Sequence, residues 1–135
     1  MADPCAVVVL VPAADSTATE KAAIADAASM WTAVFGAHLT VGDATDGATA
    51  VPVRFASAAL AFLGAYEVER RDLVINRDIP DETMSSIAVA HELGHAFGLA
   101  HVTGRASVMN AGNGTVRPNA ADALLLAQLW GTCAR

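Results

Sequence analysis

Clusters of positive charge are missing from this chain. Its 135 residues carry 8 Lys and Arg against 14 Asp and Glu, a formal net charge of -6, and the densest basic spot is the pair Arg70-Arg71. Nucleic-acid binding depends on neutralising phosphates, so no nucleic-acid partner is expected. The same deficit argues against an anionic membrane surface. Long apolar runs are missing as well. The longest candidate, Ala6 to Val11, is broken by Pro12, whereas a membrane helix needs roughly 18–20 apolar residues. No basic region precedes an apolar stretch at the N-terminal end, so no secretory signal is visible. Internal repeats, low-complexity tracts and interdomain linkers are also lacking. With 54% hydrophobic, 16% charged and only 5% aromatic residues, the chain is expected to fold as one domain with a core of small and branched aliphatics.

Cysteine is scarce too. Cys5 and Cys133 stand one near each end, and neither has a partner at metal-site spacing. They read as a disulfide tying the termini together or, alternatively, as two unrelated buried thiols. In the chain-entropy model a bridge closing so long a loop contributes roughly 4–5 kcal/mol, less any strain. A disulfide implies an oxidising compartment.

The elements that are present follow from periodicity. Ala6–Val11, continuous and rich in valine, reads as a buried strand. Thr17–Phe35 reads as a helix: Thr17 and Glu20 have capping-box spacing, Ile24, Ala28, Trp31 and Phe35 share a face, and Gly36 stops it. Gly42 to Gly47 is the clearest loop. His38–Val41, Val51–Phe55, Ala61–Val68 and Leu73–Asn76 read as strands. A second helix covers about Ser85 to Gly98, with Thr83 or Asp81 as cap. Asn119–Trp130 is a third, following Pro118 and capped by Asn119. Strand, helix, four strands, helix, irregular segment and helix suggest an α+β mixed sheet with helices packed on it.

Residues 91 to 101 read HELGHAFGLAH. On a helix His91 and His95 lie about 400° and about 6 Å apart, so both imidazoles leave one face, close enough to share a zinc ion. Glu92 follows the first of them, beside the metal without displacing its water. A continuing helix would carry His101 about 15 Å beyond His91 and off that face. His101 reaches the same metal only if the chain turns sharply after His95. Gly98 stands where that turn must happen, and glycine takes positive φ at little cost. Three neutral histidines leave a fourth zinc position open, the mark of a catalytic site. In that reading Glu92 is the general base, taking a proton from the attacking water and passing it to the leaving amine.

HELGHAFGLAH resembles the HExxHxxGxxH signature of the metzincin clan of zinc metalloproteases. Ser107-Val108-Met109-Asn110 fits the clan's methionine turn. Met109 lies eight residues past His101, a short spacing most similar to the matrixin family. The resemblance implies a zincin-like fold: a twisted five-stranded sheet with one antiparallel edge strand, a backing helix, an active-site helix and a C-terminal helix. It also implies a single catalytic domain, 1–135, with an upper part of about 1–98 and a lower part of about 99–135. One catalytic zinc is implied, with Met109 packed under the three imidazoles. Arg117 to Gly131 resembles the final matrixin helix, with Asp122 in its first turn. There are departures. The propeptide cysteine motif is absent. His38 is the one histidine outside the signature and reads as a strand residue, so the second, structural zinc of vertebrate matrixins is not expected. Calcium has candidates at Asp43 and Asp46 or at Asp78, Asp81 and Glu82, but these read rather as solvated loop charges. Ala111, Gly112, Asn113 and Gly114 stand where the family has its Pro-x-Tyr wall.

The resemblance implies that a polypeptide substrate adds as a strand to the sheet edge above the zinc. Ala61–Val68 is the candidate, with Gly64, Ala65 and Tyr66 nearest the cleft, and Asn110 to Arg117 would wall the other side, open or mobile given its small residues. The expected activity is a secreted, monomeric zinc endopeptidase. A catalytically silent zinc-containing peptide-binding module and a small-amide or exopeptidase zinc hydrolase are the alternatives.

Overall fold

The computed structural model describes residues 1–133. Its elements are β1 (Val8–Pro12), α1 (Ala18–Phe35), β2 (Leu39–Val41), β3 (Thr49–Ala56), β4 (Gly64–Glu67), β5 (Asp72–Asn76), α2 (Glu82–Ala96) and α3 (Ala120–Trp130). The five strands form one sheet in the order β2-β1-β3-β5-β4. β1 pairs in parallel with β2 and β3, β3 in parallel with β5, and β4 runs antiparallel to β5 at the edge. This is the expected fold.

The valine run of β1 lies inside the sheet with Val8, Val9 and Leu10 buried, which is why it shows no alternation. β3 does alternate: Val51, Val53 and Phe55 point inward, while Arg54 points outward to Glu67 at 2.7 Å. α1 supplies the crossover that two parallel strands require. Thr17 and Glu20 close its N-terminus in a capping box, and Gly36, at φ 81°, ends it.

Trp31 fixes α1 to α2. It is fully buried, its Nε1–H donates to the Ala90 carbonyl at 3.0 Å, and its ring meets Phe97 edge-on at 5.8 Å. The bond is buried and long-range, so it sets the height of α2 against the rest of the core. α2 begins earlier than Ser85, because Asp81 rather than Thr83 caps it through the Thr83 amide at 3.2 Å. β4 is shorter than Ala61–Val68: the chain from Ala58 to Phe62 leaves the ladder, its backbone bonded instead to one side chain, that of Asn76.

Cys5 and Cys133 form a disulfide with Cα atoms 4.9 Å apart. The termini so joined lie against the end of α2. The Ala2 amide donates to the Ala96 carbonyl and the Trp130 indole N–H to the Phe97 carbonyl, both at 2.8 Å. Two carbonyls left over at a helix C-terminus are thereby satisfied.

Candidate active site

α2 delivers His91 and His95 one turn apart, with ring centroids 4.9 Å from each other. The helix then stops. Ala96 is its last helical residue, Phe97 caps it and Gly98 takes φ 103°, with the Gly98 amide bonded to the His95 carbonyl and the Leu99 amide to the Gly94 carbonyl, both at 2.9 Å. The chain doubles back and brings the His101 ring to 4.9 Å from His95 and 5.3 Å from His91. One ligand nitrogen from each of the three histidines lies within 4.8 Å of the other two. Gly98 therefore does what its position in the sequence suggested. Besides the φ value, a side chain there would collide with Met1.

The chemistry of these donors fits zinc. The Nδ1–H of His91 donates to the Val108 carbonyl at 2.6 Å and that of His95 to the Leu99 carbonyl at 2.7 Å. Each bond fixes the tautomer that leaves Nε2 as the free donor. Burial lowers the proton affinity of both rings, aided by the neighbouring imidazoles and opposed by those carbonyl bonds. Neutral imidazoles gathered around one point are what a tetrahedral zinc site with an open position takes from a protein. Among the described residues, this trio is the one group of three or more His, Cys, Asp or Glu close enough to share an ion. The calcium candidates are not assembled. Asp81 caps α2, Asp78 accepts from the Ser57 hydroxyl, and Asp43 and Asp46 stay in their loop. His38 is exposed just before β2, and Cys5 is consumed by its disulfide.

Glu92 is buried, its carboxylate 3.8 Å from His91 Nε2. Burial pushes its pKa up to about 7, against the opposing pull of the Tyr66 backbone amide. The close approach of β4 produces this burial. A Cβ on Gly64 would stand 3.1 Å from the Glu92 Cγ and 2.9 Å from the Val74 carbonyl, so only glycine lets the edge strand lie on the carboxylate. A cleft of about 380 Å³ runs between β4 and the histidines. Gly64, Ala65 and Tyr66 line it, as expected, together with Ala61, Phe62 and Asn113.

Met109 is fully buried beneath α2, against Gly94, where any Cβ would run into the methionine sulfur. Gly94, between the two helical histidines, was not singled out from the sequence; its contact lies in tertiary packing. The turn holding Met109 is braced from α3. Asp122, wholly buried, accepts from the Ser107 hydroxyl at 2.5 Å and from the amides of Val108 and Asn119 at 3.0 and 3.1 Å, and Arg105 stands 3.1 Å away. Since the Val108 carbonyl orients His91, α3 reaches the metal site through a single residue, Val108. Asn113 settles the far wall. Its Nδ2 donates to the carbonyls of Val108 and Val116 and its Oδ1 accepts from the amides of Thr115 and Val116, at 2.7 to 3.1 Å. A wall expected to be open or mobile is pinned by an asparagine.

With this geometry in hand, likeness to known proteins can be stated. Residues 13–102 match the family described as Metallo-peptidase family M12B Reprolysin-like. No curated protein matches the chain. Among solved structures, the chain resembles archaemetzincin from Methanopyrus kandleri, with a TM-score of 0.66 and 15% identity over 92% of this chain and 95% of that one. At that identity the likeness is one of fold.

Proposed function

This chain belongs to the M12B Reprolysin-like metallopeptidase family, with a His91, His95 and His101 site suited to a single catalytic zinc ion, and from that premise we propose that it is an endopeptidase cutting internal bonds of extended polypeptides. The observation that carries the proposal is the buried Glu92 carboxylate beside three imidazoles whose Nδ1 tautomers are already fixed.

When held by these histidines, zinc supplies polarisation of the scissile carbonyl and an acidified water. Everything else is done by the chain. Glu92, as general base, accepts the proton of the attacking water on its carboxylate and delivers it to the leaving amine nitrogen. The matrixin-like spacing of eight residues between His101 and Met109 supports a short methionine turn under the histidines. β4 is the sheet edge, and its outer side at Gly64, Ala65 and Tyr66 is the pairing surface for a substrate strand. Cleavage of internal bonds is favoured over terminal ones by the cleft lining. Among the described residues that line it there is no Lys, Arg or Asp, and the one Glu is the proposed base, so none of them is left over to recognise a free terminus. The disulfide supports action outside a reducing compartment.

The test is digestion of an unfolded protein such as casein, with products identified by mass spectrometry, comparing zinc-loaded wild type, chelator-treated wild type and Glu92→Ala. Internal cuts by the zinc-loaded wild type alone, with zinc content unchanged in the variant, are expected. The loss in kcat should be on the order of a hundredfold or more. A wild type that holds stoichiometric zinc and releases only terminal residues would give the exopeptidase reading. One that releases nothing would give the peptide-binding module.

A further inference from the structure

The segment 57–63, Ser57-Ala58-Ala59-Leu60-Ala61-Phe62-Leu63, forms the upper lip of the cleft through Ala61, Phe62 and Leu63. It contains no Gly, Pro, Asn or Asp, the residues that ordinarily hold a turn in shape. Ser57 is its one polar side chain, and that bonds outward to Asp78. Apart from one turn bond, from the Phe62 amide to the Ala59 carbonyl at 2.9 Å, the segment has little of its own with which to satisfy its backbone once it leaves the sheet.

Asn76, at the end of β5 and 1% exposed, does this for it. Its Nδ2 donates to the carbonyls of Ala58, Ala59 and Phe62 at 3.2, 3.1 and 2.8 Å, and its Oδ1 accepts from the amides of Ala58 and Asp78 at 3.1 and 3.0 Å. Its backbone amide takes the Leu63 carbonyl at 2.9 Å, just where β4 begins. Held this way, the lip presents Leu60, 63% exposed, and Phe62, 38% exposed, as apolar side chains at the surface. The Phe62 carbonyl, gripped by the amide, fixes the backbone of a residue that lines the cleft.

We propose that Asn76 is a positioning residue that pre-organises an apolar substrate lip, and that Phe62 is the specificity-determining residue it places. The favoured substrates are extended polypeptides with an apolar side chain facing Phe62. This rests on the endopeptidase reading above. Pre-organisation spares the lip its ordering entropy at binding, so the benefit is paid into substrate affinity and not into the chemical step.

Asn76→Ala, Phe62→Ala and the double variant decide it. They are compared by peptide kinetics, zinc content and amide hydrogen exchange. In Asn76→Ala the amides of 58–63 should exchange at least roughly tenfold faster while those of α2 keep their protection. For peptides with an apolar residue at the lip, KM should rise roughly tenfold in either single variant, with kcat within about twofold. The double variant should add no more than about twofold to the KM of Phe62→Ala, because Asn76 acts through that ring. If Asn76→Ala fails to fold, Asn76→Asp replaces it, keeping shape and the Oδ1 acceptor while removing the donor. Unchanged exchange in 58–63, multiplicative KM effects, or a fall in kcat with KM unmoved would each overturn the assignment. A wild type that holds zinc yet neither cuts nor binds apolar peptides overturns the endopeptidase reading and the lip with it. A wild type that cuts without this coupling overturns the lip alone.

Discussion

Two halves of this molecule meet at Gly98, and they are built on different physics. Up to Gly98 the backbone is paired with itself in five strands and two helices, and the contacts that fix those elements are apolar. From Leu99 to Asn119 there is neither helix nor strand, and the backbone is held by side chains: Asn110, Asn113, Asn119 and Asp122 bond eleven backbone amides and carbonyls among them, counting α3's own cap. The site draws on both halves. His91, His95 and Glu92 come from the first, His101, Met109 and the Val108 carbonyl from the second. Removing apolar mass should weaken the first half without addressing the metal. Removing one carboxylate should damage the second half and the metal site together.

The largest effects separate the halves. Trp31→Ala leaves a cavity between α1 and α2 and removes the indole bond to the Ala90 carbonyl, and truncating a buried tryptophan costs about 3–5 kcal/mol. Asp122→Ala leaves the Arg105 guanidinium, the Ser107 hydroxyl and two amides without their acceptor, a loss of similar size, about 3–5 kcal/mol. Denaturant unfolding of the two variants should look alike. Zinc affinity measured in the folded state should not. Asp122→Ala frees the Val108 peptide that orients His91 and should weaken zinc by roughly 10–100-fold, the effect of losing an outer-shell partner, while Trp31→Ala keeps near-normal affinity. Equal zinc affinities in the two variants would dissolve the distinction.

The same division explains what could be read in the sequence. Val7 to Val11, the Ile24–Trp31 face and the HELGHAFGLAH run each announce themselves by period or spacing, and the sheet, both large helices and the histidine trio follow from them. Asp122 was visible only as an acid in a helix's first turn, because its partners Ser107 and Val108 lie 15 and 14 residues away. Asn113 sat in a run of small residues that looked like slack, and its four bonds are local but leave no periodic trace. Asn76 is the exception within the first half. Its effect on Ala58–Phe62 made a strand prediction too long by three residues, since Ala61, Phe62 and Leu63 have strand composition and lack a strand partner. Gly64 and Gly94 matter for the side chain they lack, and that shows only when a neighbour, Glu92 or Met109, is in place.

A second, smaller effect lies at the boundary itself and depends on pH. Burial raises Glu92 from 4.5 to about 7. A group with a raised folded pKa gives stability that is fully present below its unfolded value and lost as pH climbs through the folded one, here between 4.5 and about 7. His91 and His95, lowered by burial, work in the opposite sense: their contribution is present above 6.5 and lost as pH falls. In the metal-free protein Glu92→Gln removes the first slope and keeps the second. The variant's stability advantage over wild type should therefore grow from pH 4.5 to about 7 and then level, reaching roughly 3 kcal/mol at most. Urea titrations of both proteins across that range check it. Parallel curves would mean that the carboxylate is not buried by β4 in solution.

The smallest effect tests whether the second half is held piece by piece or as a unit. Asn113→Ala removes two donated and two accepted bonds from the wall, all to backbone within five residues, and one of those carbonyls, Val108, is already bonded to His91. The wall is partly exposed, so water replaces much of what is lost, and the destabilisation should be about 1–2 kcal/mol. The Val108 carbonyl keeps its histidine, so zinc affinity should change less than about threefold, well below the Asp122→Ala effect. Exchange of the Thr115 and Val116 amides should quicken while the Val102 amide, bonded to the Met109 carbonyl, keeps its protection. If Val102 loses protection as well, the segment from Leu99 to Asn119 behaves as one cooperative unit. The boundary at Gly98 is then a boundary of stability and not only of bonding style.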